Sequence, residues 1–319
     1  MAFRHVRPAV RLSRSVRALV LVLLVATLSG CAAFGTSTDP GDRPGTPSSD
    51  AAVLDVVTTT TVFADIVRNV GGERVAATSI VPAGVGPEDY EPKPEDARKL
   101  SDAGLIVSNG VGLDDFLDGL LASGNGGQTS HLVLGDGIPA MALNGEQNPH
   151  FWLDPSLVKQ YYVPAIASRL SELDPEGKST YDGNAAAYAR RLDALDAELQ
   201  AQVETIPESD RKLVTFHDAF PYFAKHFGFQ EVGVIVENVG QEPTGAELAA
   251  LVDTVKAARV KAVFSEAQFN PELTRTLAEE AGVTRVVTTL YNDALGPPPA
   301  DSYLGLMRWN VSQIVEALR

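Results

Sequence analysis

Cysteine is almost absent from this 319-residue chain: the single one, Cys31, leaves no partner for an internal disulfide. Histidine is also scarce, five in all, and no His-rich stretch occurs anywhere. Basic residues are outnumbered, 26 Lys and Arg against 41 Asp and Glu, for a net charge of −15. Such a balance argues against nucleic acid or an anionic membrane surface as a partner, because both would repel it. The longest apolar run, Ala18 to Leu28, has 11 residues, too few for a bilayer-crossing helix, which needs about 20. Glycine-rich pieces such as Gly110-Val-Gly112 and Gly124-Asn-Gly126-Gly127 lack the spacing and the Lys-Ser/Thr of a phosphate-binding loop. No His-Glu-x-x-His pair and no Gly-x-Ser-x-Gly is present, so the usual hydrolase signatures are missing.

What is present begins with an unusual front end. Residues 1–30 hold five Arg and no acid, ahead of the short apolar run and Leu28-Ser29-Gly30-Cys31. A basic stretch, a short apolar segment and small residues describe an export signal, and the closing tetrapeptide resembles the bacterial lipobox. Cys31 is therefore expected to be lipidated after signal cleavage, which would anchor an extracytoplasmic protein to the membrane. Losing five Arg from 26 basic residues leaves 21 against 41 acidic, a net charge of −20. Residues 31–50 are rich in Gly, Ser, Thr and Pro and read as a flexible tether reaching on the order of 25 Å.

Beyond the tether, β-rich runs alternate with helical segments, the pattern of an α/β protein built on parallel sheets. One series comprises Val53–Thr60, Arg74–Val81, Leu105–Ser108 and His131–Leu134; a second comprises Lys212–Phe216, Gly233–Val236, Lys261–Ser265 and Arg285–Leu290. Between them Tyr188, Leu192, Leu195, Leu199 and Val203 recur at steps of four, three, four and four, one apolar stripe on a helix from Asp182 to about Ile206. At 1.5 Å per residue that helix extends roughly 35 Å, enough to run along two lobes and leave a cleft between them. The expected layout is a signal at 1–30, a tether at 31–50, an N-terminal lobe at 51–180, a linking helix at 181–207 and a C-terminal lobe at 208–319. Thr244-Gly-Ala-Glu247 has capping-box spacing, and Asn270-Pro271 offers a cap followed by proline at the first helical position.

In open parallel α/β sheets ligands bind beyond the carboxyl ends of the strands. That rule selects His217, Glu266 and Asp293 in the second series and the loop Pro82–Pro92, with Glu88 and Asp89, in the first. His150 stands apart in Asn148-Pro-His-Phe-Trp-Leu-Asp-Pro155, beside an aromatic pair and bracketed by prolines. Imidazole nitrogens suit zinc, and carboxylates also accommodate manganese. Each residue has a structural alternative: Asp293 as a turn residue, His217-Asp218 as a capped helix start, Glu88 as a solvated loop acid. His131 and His226 read as structural.

Taken together, Pro87-Glu-Asp-Tyr90-Glu-Pro92 with Pro94 and Asp96, the Asn148–Pro155 stretch, Thr215-Phe-His217-Asp218-Ala-Phe220-Pro-Tyr222, Glu242-Pro-Thr244 and the Asp293 region resemble the zinc- and manganese-type solute-binding lipoproteins of ABC importers, the cluster A-I or TroA-like family. The resemblance covers nearly all of the body. It implies two similar lobes joined by a long helix and one zinc or manganese ion held in the interlobe cleft. It also implies an ABC permease and ATPase as partners, a monomeric receptor, and no catalysed reaction. Carried over by position, His150, His217 and Asp293 are implied ligands, while Glu88 stands where the family usually has His. Two imidazoles with two carboxylates neutralise a divalent ion, whereas three imidazoles with one carboxylate leave a net +1. Asp89 or a water is the alternative to Glu88. Glu266 is a candidate to orient a ligand, since metal-bound imidazoles commonly donate their other N–H to a carboxylate. The competing readings are an extracellular zinc-dependent hydrolase, which needs an open coordination position, and a surface adhesin, a name given to some relatives.

Overall fold

The strand signals in the first half of the body become a parallel sheet whose strand ends frame a loop-rich rim. The computed structural model describes residues 53–88, 90–123, 129–143 and 146–319; the signal, the tether, Cys31 and Asp89 lie outside them. Strand β1 (Leu54–Thr58) leads into helix α1 (Thr61–Gly71), which presents Val62, Phe63, Ile66, Val67 and Val70 to the core and returns the chain to β2 (Val75–Ser79). After the loop that carries Glu88, α2 (Pro94–Asp102) opens with Pro at its first position, while Asp96 Oδ2 accepts the Lys93 N–H at 2.8 Å and the Tyr90 hydroxyl at 2.7 Å. The Tyr90, Pro94 and Asp96 of the sequence motif are thus the hardware of a helix start. Strand β3 (Leu105–Ser108), helix α3 (Phe116–Ser123) and strand β4 (Ser130–Val133) complete a sheet of order β2-β1-β3-β4, parallel throughout.

A small antiparallel ribbon, β5 (Ala142–Leu143) and β6 (Glu146–Gln147), precedes the His150 stretch. The chain then passes through the one-turn helix α4 (Pro155–Leu157) and α5 (Val163–Leu173) into the long helix α6 (Lys178–Val203). Tyr188, Leu192, Leu195, Leu199 and Val203 are all buried on α6, as the stripe requires. The helix starts one turn before the expected Asp182, because Tyr181 joins the same buried face.

Four further strands follow: β7 (Lys212–His217), then α7 (Pro221–Phe227) and β8 (Gln230–Val236), then α8 (Gly245–Ala258) and β9 (Ala262–Glu266), then α9 (Glu272–Ala281) and β10 (Arg285–Leu290). They pair as two parallel ladders, β7 with β8 and β9 with β10, and β7 runs beside β9. Thr244 and Glu247 form the capping box of α8. Pro271 takes the cap position of α9, one ahead of the first helical residue and not within the first turn as expected, while Asn270 Oδ1 just before it accepts the Glu272 N–H at 3.1 Å. The chain closes with α10 (Tyr303–Leu318).

Helix α6 packs against α1, α5 and α10, so one helix is shared by elements of both series. A single apolar core runs along it from Val56 to Leu318, and smaller clusters lie on the outer faces of the two halves. The architecture is the expected α/β one, two lobes with parallel strands on a shared helix. Among the described residues no helix is long and apolar enough to cross a membrane.

Candidate metal centre

Four side chains from four separate segments converge where the strand ends of the two lobes face each other. Glu88, His150, His217 and Asp293 each present one donor atom, and these atoms lie within 4.8 Å of one another. His150 Nε2 is 3.6 Å from Asp293 Oδ1, and His217 Nε2 is 3.9 Å from Glu88 Oε2. The His150, His217 and Asp293 side chains are at most 2 % exposed, while that of Glu88 is 25 % exposed.

His150 is aimed by its neighbours. Its ring Nδ1 lies 3.1 Å from Asn148 Oδ1, and its backbone N–H donates to the same oxygen at 3.0 Å. Asn148 can only offer its oxygen there, because its amide nitrogen donates to the Asp218 carbonyl at 2.6 Å and to Asp218 Oδ2 at 3.0 Å. An oxygen acceptor at Nδ1 places the imidazole proton on Nδ1 and leaves the Nε2 lone pair facing Asp293. That Nε2 and Asp293 Oδ1 are both buried without a hydrogen-bond partner. Two such atoms facing each other at 3.6 Å are costly unless something positively charged lies between them.

His217 ends β7 and does not begin a helix; α7 starts only at Pro221. The ring packs edge-on to Phe269 and to His150, at centroid distances of 5.2 and 5.3 Å. Glu266, at the end of β9 and fully buried, brings Oε1 to 3.2 Å from His217 Nδ1, within ion-pair range though out of line for a hydrogen bond. The side-chain amide of Asn292 is 3.2 Å from Nε2; it can donate to a neutral imidazole or, turned over, accept from a charged one.

The two histidines titrate in opposite directions. Burial, and then the neighbouring His217, pushes His150 well below the ordinary histidine value, so it stays neutral. Burial also opposes charge on His217, but Glu266, Glu88 and Asp293 outweigh it and hold the ring up to about 10. Asp293 is raised to about 8, first by burial and then by the negative charge of Glu88. Carboxylates gathered in a buried place around one imidazolium make a centre that favours positive charge.

The aromatic pair beside His150 is structural with a purpose. Trp152 Nε1 donates to the Asn292 carbonyl at 2.8 Å, one residue before Asp293, and Tyr303 Oη donates to the Trp152 carbonyl at 2.7 Å. On the far side of Asp293, the Leu295 N–H donates to Thr61 Oγ1 of α1 at 2.8 Å. The segment that follows β10 is therefore tied to the first lobe. Asn148, Asn292 and Trp152 were legible only as motif letters; an Asn two residues before a His is the one signal that hinted at a side-chain bond to it.

The two other histidines among the described residues are held elsewhere. His131 Nε2 bonds Ser108 Oγ at 2.8 Å, and His226 lies between Asp154 at 3.1 Å and Asp196 at 2.6 Å.

Comparison with known proteins bears on the whole body. The family model of the periplasmic zinc-uptake complex component A matches residues 56–317. The manganese-binding lipoprotein MntA of Halalkalibacterium halodurans is 34% identical over 303 residues, covering 94% of this chain and 97% of its own length. The iron ABC transporter substrate-binding lipoprotein MtsA of Streptococcus pyogenes is 29% identical over 310 residues, 93% of this chain and 96% of its own. Among solved structures, the periplasmic zinc binding protein TroA from Treponema pallidum superposes with a TM-score of 0.77 at 28% identity, over 84% of this chain and 99% of that one. The manganese-bound periplasmic metal binding protein of Candidatus Liberibacter asiaticus gives 0.75 at 26%, over 83% and 100%. The relatives' names differ in metal, and the chain belongs to the family of the periplasmic zinc-uptake component A.

Proposed function

We propose that this protein is the extracytoplasmic receptor of a metal ABC importer: it captures one divalent transition-metal ion between its lobes and delivers it, as a single copy, to a permease and ATPase. His150, His217, Asp293 and Glu88 are the proposed ligands. The observation that carries this reading is the convergence of the four donors, with His150 Nε2 and Asp293 Oδ1 buried and unbonded. Two imidazoles and two carboxylates match the charge of a divalent ion and the nitrogen and oxygen donors that zinc and manganese take.

Family membership and relatives named as zinc-, manganese- and iron-type binding proteins support metal as the cargo. The word lipoprotein in the relatives' names supports anchoring, and Cys31 is the proposed lipidation site. The layout that goes with it is a signal at 1–30, a tether at 31–50, lobes at 51–180 and 208–319, and the linking helix between. The reading assigns binding and release, with no reaction: around zinc, which favours four ligands, four protein donors leave no position for a reacting water.

Calorimetric titration of the body with zinc and manganese tests the proposal, with His150→Ala alongside. One ion per chain bound below about 1 µM, a level set by some 8 kcal/mol of binding free energy, and weakened about 100-fold in the variant, is the expected result. Absence of binding for both ions would end the reading.

A further inference from the structure

Asp293 has two carboxylate oxygens, and the structure uses them differently. Oδ1 faces His150 Nε2 at 3.6 Å with no hydrogen bond. Oδ2 accepts a hydrogen bond from Gln268 Nε2 at 2.8 Å. Gln268 lies two residues beyond the end of β9, in a turn closed by the Phe269 N–H donating to the Glu266 carbonyl at 3.2 Å. The preceding residue is fixed as well, since the Ala267 N–H donates to the Leu290 carbonyl at the end of β10 at 2.9 Å. Phe269 stacks on Phe216 at 4.6 Å and packs against His217, which holds the turn against the ligand-bearing strand β7. Across the cleft, Gly86 brings the Glu88 loop close: a side-chain carbon there would lie 3.4 Å from Gln268 Nε2 and 3.8 Å from Asp293 Oδ2. The Gln268 amide, half-buried, thus lies between the β9 turn, Asp293 and the first-lobe loop.

We propose that Gln268 is a specificity-determining residue, which by engaging Oδ2 holds Asp293 to one metal-facing oxygen and biases the centre toward four-coordinate zinc over manganese. The inference rests on the receptor reading above. Its chemistry is a matter of donor count. His150 Nε2, His217 Nε2, Asp293 Oδ1 and one oxygen of Glu88 make four, the number zinc favours, whereas manganese favours six donors, largely oxygen. An Asp293 that turned both oxygens to the ion would raise the count, and would have to swing Oδ2 out of line with the Gln268 amide, which holds it toward the β9 turn. The carboxamide also carries no charge, so it orients the carboxylate without competing for the ion.

The test compares wild type with Gln268→Met, which keeps length and bulk but has no donor, and with Gln268→Ala as a second variant. Zinc and manganese affinities are measured by competition with a chelator, melting is followed to verify folding, and the visible spectrum of the cobalt(II)-loaded protein reports coordination number. The expected result is a zinc-to-manganese preference about 10-fold smaller in both variants, the scale on which residues behind metal ligands act. It should come mainly from a gain in manganese affinity, together with a weaker cobalt absorption band as coordination rises above four. An unchanged ratio, including the case in which both affinities fall together, overturns the role of Gln268 and leaves the receptor intact. A wild type that binds neither ion overturns both.

Discussion

The two walls of the centre are built differently. On the second-lobe wall, His217 at the end of β7 and Asp293 just beyond β10 are almost fully buried, with Glu266 behind His217 at Nδ1 and Asn292 beside its Nε2. On the first-lobe wall, Glu88 rides on a loop after β2 and keeps a quarter of its side chain exposed, while His150 is buried and locked by Asn148. The difference teaches that a buried donor is fixed by the side chain bonded or packed beside it, as His150 is by Asn148, His217 by Glu266 and Asp293 by Gln268, whereas Glu88 stays accessible to water. Three rigid donors and one accessible one are suited to an ion that must be let in and later let go.

If that contrast is right, truncating a buried donor costs far more than truncating the loop donor. His217→Ala or Asp293→Ala is expected to weaken zinc binding about 100-fold or more, a one-quarter share of the 10–16 kcal/mol typical of a four-ligand zinc site. Competition titration checks it. Trp152→Phe attacks the tie between the walls: it deprives the Asn292 carbonyl of its donor and is expected to cost about 1–3 kcal/mol of stability in urea denaturation. Glu88→Ala should lose only about 10-fold in zinc affinity, because a water can take its place at the accessible position. Glu88→His should retain zinc while weakening manganese, which prefers the oxygen donor.

The contrast between the histidines is sharpened through pH. His217 in the metal-free protein is held up to about 10, from an ordinary 6.5, and Asp293 up to about 8, from 3.8. Both pKa values are raised on folding, so the folded state binds more protons than the unfolded one between the paired values. Stability from His217 is fully present below 6.5 and is lost toward 10; that from Asp293 is lost between 3.8 and 8. His150, held low, is neutral in both states above about pH 7.5 and adds nothing there. The metal-free protein should therefore melt at a lower temperature at pH 9.5 than at pH 7.5. His217→Gln should flatten that fall.

Much of the frame was legible before any coordinates. The eight strands of the two series lie within a few residues of their expected positions, because β-branched runs between turn residues leave little choice, and the α6 stripe is buried residue for residue. His150, His217, Asp293 and Glu88 were nominated by resemblance and by the rule about strand ends, and they do meet. Glu266 followed from the general need of a ligating imidazole for a partner, and it is at His217. What could not be read was the wiring between distant segments. Gln268 reaches Asp293, 25 residues away, only because β9 and β10 pair in parallel and end side by side. Asn292 reaches Trp152 across 140 residues. No local period or spacing carries such information, since the bonds depend on where the two lobes' loops come to rest.

The most direct test of the central claim is the metal-edge X-ray absorption spectrum of the zinc-loaded protein, read for donor type and number. The account predicts two imidazole nitrogens and two oxygens at about 2.0–2.2 Å, with one imidazole lost in His150→Ala. A zinc ion surrounded by oxygens alone, unchanged in that variant, would contradict it.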